Sequence, residues 1–241
     1  MKKLLLLLLA LSTLTGCDKE EDEEVVKKEE PAPTPTYPST YLIEYKKNVT
    51  PIKMYTRLGE VKNDALIKSF VKRHASIYGY YQTNVTEKTS NSSTLVFNSA
   101  TELYASNARD GEYYDIKTLE DGDIVLTSRR EWEALRTKSG NTFSDFVETI
   151  SKVKTIVKDP QPAPYSPGGT VYKTREQVVG TFAGNELLIH STIITWKHTY
   201  EYGTIIYPGT YNIKFDPAGI SGMGEKDTLL IQGTAVFGAR Q

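Results

Sequence analysis

The chain has 241 residues, with 29 Lys and Arg against 30 Asp and Glu, so its formal net charge at pH 7 is −1. A nearly neutral chain without a local run of basic residues gives no electrostatic basis for binding nucleic acid. Cys17 is the single cysteine, which excludes an intrachain disulfide bond, so a folded domain must depend on its own hydrophobic core.

The first residues have the pattern of an export signal. Two lysines precede an apolar segment of eleven residues, which is too short for a transmembrane helix of about 20 residues. Leu14-Thr15-Gly16-Cys17 follows, and this tetrapeptide resembles the lipobox of bacterial lipoproteins. The resemblance implies a signal peptide at 1–16, cleavage before Cys17 and acylation of that cysteine with fatty acids such as palmitate. An ordinary signal peptide with an incidental cysteine is the alternative.

The residues after the cysteine carry a second resemblance. Lys19-Glu20-Glu21 is similar to the surface-export signal of lipoproteins from the Bacteroidetes phylum, a lysine followed by two acidic residues. The resemblance implies that the protein is held by its lipid anchor on the outer face of the outer membrane. Without that export step the lipidated protein would face the periplasm. A solvated run of charges that keeps a tether extended is the alternative interpretation of these residues.

Residues 17–40 predict a disordered tether that begins at the lipidated cysteine. Glu and Lys crowd its first half and four prolines its second half, and such a composition buries too little apolar surface to fold. Residues 41–241 predict a β-rich globular domain, either one body or two lobes divided near 159–169. Prolines and glycines cluster in that dividing segment, which could equally be a long surface loop.

In chain order, the first half of the domain begins with strand patterns at 41–47 and 52–58. Asn63 then caps a predicted helix at 65–76, where Leu66, Ile67, Phe70, Val71 and Ala75 recur at helical spacing. Strand patterns follow at 77–85, 94–105, 112–118 and 124–127, with a polar turn region at 86–93. Asp-Gly dipeptides bracket the strand at 112–118.

The second half contains two more predicted helices and several long strands. Ser128-Arg129-Arg130-Glu131 match a capping box, which predicts a short helix containing Trp132 and Leu135. A further helix is predicted at 143–151. Strands are predicted at 187–200, at 204–215 with a bulge or hairpin turn at Pro208-Gly209, and at 227–239 after a flexible loop at 216–226.

Together these elements predict a mainly β fold, an antiparallel meander with two or three short helices. The alternation of strands and Asp-Gly turns is faintly similar to lipocalin-like barrels, but no motif extends that similarity. A barrel and a β-sandwich therefore both remain open.

Catalytic and metal-binding patterns are scarce in the sequence. His74 is near a helix end, and His190 and His198 would lie about 26 Å apart in an unbroken strand, too far for one metal ion. Asp121-Gly122-Asp123 could attract calcium, but an Asp-Gly hairpin turn accounts for it. The loop around Ser221 fails the G-x-S-x-G nucleophile pattern. The sequence therefore predicts no catalytic residue, no cofactor and no metal ligand.

Two weaker features concern recognition and modification. Sixteen tyrosines suit a binding surface, although tyrosine also favours strands. Asp227-Thr228-Leu229 resembles the O-glycosylation motif of exported Bacteroidetes proteins, which makes Thr228 a candidate for modification unless it is buried.

The sequence does not specify a molecular task. The hypothesis that needs the fewest special sequence features is a non-catalytic surface lipoprotein. Such a protein would bind a ligand or a partner, such as a glycan, a peptide or a protein. The alternatives are an accessory or structural subunit of an outer-membrane complex and, ranked below it, a hydrolase that uses carboxylates or the Ser221 loop.

Overall fold

The structure, a computed structural model, describes residues 36–75, 86–107, 110–136, 142–162 and 169–241. These residues form fourteen strands, two α-helices, a π-helical turn at Val71–Ala75 and a 3-10 helix at Pro217–Gly222. The helices are α1 (Asp64–Phe70) and α2 (Thr142–Thr149). The strands are β1 (Ser39–Asn48), β2 (Lys53–Thr56), β3 (Gly59–Val61), β4 (Thr86–Ser99), β5 (Glu102–Ser106), β6 (Gly111–Thr118), β7 (Ile124–Ser128), β8 (Trp132–Arg136), β9 (Ile156–Pro162), β10 (Thr170–Arg175), β11 (Gln177–Ala183), β12 (Glu186–Tyr200), β13 (Gly203–Tyr211) and β14 (Thr228–Arg240).

Eight of these strands close into an antiparallel barrel. Around the ring the order is β1, β4, β5, β6, β7, β11, β12 and β14, and β14 pairs with β1 to complete it. Barrel neighbours follow one another along the chain, with other elements inserted between some of them. The predicted mainly β meander is therefore confirmed, and the choice between barrel and sandwich is settled in favour of the barrel.

Alternating side chains fill the interior of the barrel. Tyr41 from β1, Phe97 from β4, Leu103 from β5 and Leu187 from β12 are all buried in one cluster. The rings of Tyr41 and Phe97 meet edge to face, with centroids 5.5 Å apart. Because successive residues of a strand point to opposite faces, the period-2 apolar pattern of each strand supplies one column of this inner wall.

Two barrel strands, β12 and β14, are long enough to extend beyond the barrel. The second half of β12 pairs with β13, and the first half of β14 pairs with β2, which in turn pairs with β3. The result is an extension sheet in the order β13, β12, β14, β2 and β3. The remaining strands β8, β10 and β9 form a separate three-stranded sheet.

Helices cover both faces of the extension sheet. On one face, Phe143, Phe146 and Ile150 recur at helical spacing along and just after α2, and the Phe146 ring stacks on Trp196 with centroids 4.1 Å apart. The helix predicted at 143–151 is thus present. On the other face α1 packs against Met54 and its neighbours. No helix among the described residues is both long enough and apolar enough to span a membrane.

The helix predicted at 65–76 is also present over its described part, with a correction to its buried face. The Asn63 side chain accepts a hydrogen bond from the Leu66 backbone N–H at 3.0 Å, as its capping role requires. Ile67 and Phe70 pack against the extension sheet, whereas Leu66 is 51% exposed. Residue 76, the last residue of the predicted helix, and the strand predicted at 77–85 lie outside the described residues.

Two predictions between β1 and β6 are wrong. The polar segment 86–93 is not a turn but the first half of β4, which pairs with β1. The single strand predicted at 94–105 is a hairpin of β4 and β5. Its turn has no Gly, Pro or Asn, and instead the Ser99 hydroxyl accepts a hydrogen bond from the Thr101 N–H at 3.2 Å. Pairing with distant strands here outweighs local propensity.

The helix predicted from the capping box at Ser128 is also wrong. Ser128 is the last residue of β7, and its hydroxyl accepts from the Arg130 N–H at 2.9 Å within a tight turn. The residues after it form β8, which pairs with β10. The Ser128 hydroxyl is therefore used inside the turn and does not begin a helix.

Near the end of the chain, Pro208 and Gly209 form neither a bulge nor a turn. Both lie inside β13 and pair with Thr195 and Ile194 of β12. An edge strand tolerates proline because the missing N–H faces solvent. In the dividing segment predicted near 159–169, β9 continues as far as Pro162, and 163–168 lie outside the described residues. All described residues belong to one compact unit, Ala32–Gln241.

Leu187→Ala is expected to lower the free energy of unfolding by about 2–5 kcal/mol, because Leu187 is fully buried in the barrel core. Leu58→Ala is the matched control: it removes the same atoms from a side chain that is 89% exposed, and should change stability by less than about 0.5 kcal/mol. Urea titrations followed by tryptophan fluorescence measure both. Equal effects of the two substitutions would contradict the assignment of the core.

Candidate functional site

A cavity opens at the end of the barrel where β5 turns into β6. Its volume is about 420 Å³, which is within the range of small-molecule binding sites. One side of it is apolar and formed by the inner faces of several barrel strands. The side chains on that side are Ile43, Leu95, Ala105, Ile189 and Val236.

Small side chains at the mouth leave this cavity open. Deeper in the barrel, β4 and β5 fill the interior with Phe97 and Leu103. Toward the mouth, the same faces of the same two strands carry Ser93 and Ala105. An eight-stranded barrel is only wide enough to be filled by side chains or to hold one small ligand. The change from large to small residues therefore produces the space.

Polar groups are concentrated at the rim, where a carboxylate and a phenol meet. The Tyr114 hydroxyl donates to Oε2 of Glu112 at 3.4 Å, and the Ser128 hydroxyl donates to Oε1 of the same carboxylate. Burial, together with the charges of Glu112 and Glu176, raises the pKa of Tyr114 to about 12. Because the phenol keeps its proton at neutral pH, it remains a hydrogen-bond donor.

The rim presents carboxylate and hydroxyl groups that can orient a ligand. The described lining residues include Asp110, Glu112 and Tyr114 but no histidine, cysteine, lysine or arginine. The arrangement is suited to binding.

Sequence reasoning missed Glu112 and Tyr114 as site residues, although their spacing carries a signal. Both have the same parity in β6 as Ile116, which packs in the barrel core. An acidic residue and a tyrosine on the apolar face of a strand would have indicated a polar position in the interior. Ser93 and Val236 come from distant parts of the sequence, and only the sheet order brings them to the same cavity.

A second polar cluster surrounds Asp123 on the outer side of the barrel wall. Its carboxylate accepts hydrogen bonds from Lys152 Nζ at 2.5 Å, Lys214 Nζ at 2.6 Å and Thr181 Oγ1 at 2.5 Å. Burial alone would raise the pKa of Asp123, but these three donors outweigh it and lower the pKa to about 2. Asp123 therefore stays charged at all but strongly acidic pH.

His190 belongs to the same cluster. Its Nε2 lies 2.7 Å from Thr181 Oγ1, and burial together with the charge of Lys214 lowers the pKa of His190 to about 4. The imidazole is therefore neutral at pH 7.

The Asp123 cluster is structural, because its central carboxylate is buried and its ion pairs join separate segments of the chain. Only 4% of the Asp123 side chain is exposed. Lys152 follows α2 and Lys214 follows β13, so the two ion pairs attach both segments to the barrel wall. The Asp-Gly turn predicted before Asp123 is present, and Gly122 adopts the left-handed φ of +83° that favours glycine.

The other histidines lie apart from His190. His198 is on the same unbroken strand, where its Nδ1 is 3.0 Å from the buried carboxylate of Asp227. His74 lies in the π-helical turn, with its ring 4.7 Å from that of Phe70. Within the described ranges, no group of three or more His, Cys, Asp or Glu residues is arranged to hold a metal ion.

The remaining residues singled out by the sequence are placed as follows. Thr228 is half-buried at the start of β14, opposite Lys197, and its glycosylation stays a prediction. Ser221 is exposed in the 3-10 helix, and its hydroxyl donates to the Ala218 carbonyl at 3.2 Å. Cys17 lies outside the described residues.

The tyrosines divide between the core and the surface. Tyr41 and Tyr55 are buried. Tyr200 and Tyr202, at the tip of the β12–β13 hairpin, are 43% and 84% exposed and continue a row of rings that starts at Trp196. Strand preference therefore explains part of the tyrosine content, and the hairpin tip is an exposed aromatic edge.

Comparison of the chain with protein-family models, with curated proteins and with solved structures finds no match. The functional interpretation therefore depends on geometry. The barrel cavity is open to solvent, whereas the Asp123 carboxylate is buried and already bound by two lysines. The cavity is the candidate functional site.

Asp123→Asn is expected to lower the free energy of unfolding by about 3 kcal/mol at pH 7, because two partly buried lysines lose their carboxylate. A carboxyl group with a depressed pKa stabilises the fold above its unfolded pKa, and this contribution is lost as the pH falls through its folded value. The difference between wild type and variant should therefore shrink between about pH 4 and pH 2.

Urea titrations at several pH values measure this difference. Glu201→Gln, the same carboxylate-to-amide change at the exposed hairpin tip, is the control and should have little effect on stability. A wild-type advantage that stays constant down to pH 2 would rule out a charged Asp123 as its source.

Proposed function

We propose that the protein is a membrane-anchored, surface-exposed lipoprotein whose barrel binds a small, largely apolar ligand without catalysing a reaction. The observation that supports this proposal is the cavity of about 420 Å³ at the barrel mouth, with its apolar wall and polar rim. Concave sites that bind small molecules combine these two features, since the apolar wall supplies affinity and a few polar groups fix orientation.

The barrel supports binding because its wall is preformed. Each wall strand is hydrogen-bonded to a neighbour on both sides, so the cavity does not depend on a loop closing over it. A ligand that enters a preformed site loses less free energy to ordering of the protein. Burial of about 200 Å² of apolar ligand surface would contribute about 5 kcal/mol before the entropic cost of association.

The rim supports binding rather than hydrolysis. Glu112 is held by the hydroxyl groups of Ser128 and Tyr114, and Tyr114 keeps its proton. A carboxylate that acts as a general base needs a water or nucleophile in hydrogen-bond reach and a matched partner acid. Both oxygens of Glu112 are engaged in these hydrogen bonds, which favours a role in positioning a ligand.

The proposed anchor gives the barrel its location. Acylation of Cys17 would attach the chain to the outer membrane. Because β1 begins at Ser39, residues 18–38, 21 in number, would be the tether and could extend for roughly 70–75 Å. This length would lift the barrel mouth clear of the lipid headgroups. Lys19-Glu20-Glu21 supports export to the outer face.

The cavity is tested with a photoreactive probe, a ten-carbon alcohol that carries a diazirine on its chain. The full-length protein is held in phospholipid nanodiscs, irradiated with the probe and digested, and labelled peptides are measured by mass spectrometry. We expect labels on peptides that contain lining residues, and Ala105→Trp should reduce them about tenfold because the indole fills the space.

Lys117→Trp places the same side chain on the exposed outer face of β6 and is the control. Ser93→Phe serves as a second filling variant if Ala105→Trp does not fold, as judged by thermal unfolding. Unchanged labelling in a folded filling variant would disprove binding in the cavity.

The anchor is tested by Cys17→Ser. Because the hydroxyl group of serine cannot replace the thiol in lipoprotein processing, we expect the wild type to incorporate labelled palmitate and to enter the detergent phase, and the variant to do neither. Protease treatment of intact cells should degrade the wild-type domain if it is on the surface. Equal palmitate incorporation by the two proteins would refute the proposed anchor.

A further inference from the structure

The ionisable groups that line the cavity carry one sign of charge. Asp110 and Glu112 are the carboxylates among the described lining residues, and no described basic side chain lines the cavity with them. Asp110 is exposed and lies 3.7 Å from Arg130, so water and salt screen its charge. Glu112 is half-buried at the rim and is the more effective negative charge.

The hydrogen bonds to Glu112 satisfy its oxygens without neutralising it. Both donors, the hydroxyl groups of Ser128 and Tyr114, are uncharged. Asp115 provides the contrast on the outer face of the same strand. It accepts from Arg129 Nε at 2.7 Å and from Arg175 Nη2 at 2.8 Å, so its charge is balanced by two guanidinium groups.

In the strand register, Lys46 of β1 is a cation placed on the inner face beside the cavity. It pairs with Val236, which lines the cavity, but Lys46 itself is not among the lining residues. The negative potential at the rim is also felt by Tyr114, whose pKa is raised by burial and by the charges of Glu112 and Glu176. A positively charged ligand group placed at the rim would therefore meet the Glu112 carboxylate beside the Tyr114 side chain.

We propose that the cavity selects apolar molecules that end in a protonated amine, with the ammonium group bound by the Glu112 carboxylate and the apolar body held by the inner wall of the barrel. This proposal rests on the proposed function of the cavity. Lys46 is the group that could reverse the preference, since it would favour a carboxylate instead.

The test uses three photoreactive probes that share a ten-carbon diazirine chain and end in an amine, an alcohol or a carboxylate. Each labels the full-length protein in nanodiscs, and labelled cavity peptides are measured by mass spectrometry. The amine-to-alcohol labelling ratio is compared between wild type and Glu112→Gln. Because the two proteins share the same lipid, partition of the probes into the bilayer cancels in this comparison.

We expect the amine-to-alcohol ratio to fall about tenfold in Glu112→Gln, the equivalent of losing one charge-assisted hydrogen bond. Asp115→Asn makes the same kind of change on the outer face of β6 and should leave the ratio near the wild-type value. The carboxylate probe should label the wild type least. Thermal unfolding confirms that both variants are folded.

Equal amine-to-alcohol labelling ratios in wild type and Glu112→Gln would overturn the amine preference. If the alcohol probe still labels cavity peptides in that case, the proposed function is unaffected. A preference for the carboxylate that disappears in Lys46→Gln would overturn it as well, by assigning selectivity to the lysine. Failure of all three probes to label cavity peptides would overturn the proposed function together with this inference.

Discussion

Closure of the barrel by its last strand is the constraint on which the rest of the structure depends. β14 pairs with β12 along one edge and with β1 along the other, so the C-terminal strand joins the first barrel strand to the seventh. Without that closure the barrel would have two open edges, and its inner apolar residues would face water. Because this pairing joins the first and last strands of the barrel, the cavity wall is complete only when both strands are in place.

The same strand also connects the barrel with the extension sheet. Val236 and Gly238 of β14 face the barrel interior, and Leu230 on the same side belongs to the cluster under α1. Between them Thr234 forms a buried hydrogen bond of 2.6 Å with Ser191 of β12. One continuous strand therefore contributes to two apolar clusters. The buried hydroxyl groups of Thr234 and Ser191 lie between these clusters and are hydrogen-bonded to each other.

Local sequence patterns predicted those parts of the fold that local interactions determine. The Asn63 cap, the apolar face of α2 and the Asp-Gly turn before Asp123 are all short-range features, and each is present. The segment 86–93 failed because its polar side chains favour a turn when considered alone. Its strand conformation comes from pairing with β1, about forty residues away in sequence.

The cavity was beyond sequence reasoning for the same physical reason. Phe97 and Leu103 fill the barrel interior and stabilise it. By contrast, Ala105, two residues from Leu103 on the same face, and Ser93, four residues from Phe97, leave the mouth open. A larger side chain at Ala105 would bury more apolar surface, provided that it could pack without strain. The small residues at the mouth therefore leave part of the apolar inner wall exposed, and a bound ligand could cover it. This trade between packing and an open site is what a binding function requires of a barrel.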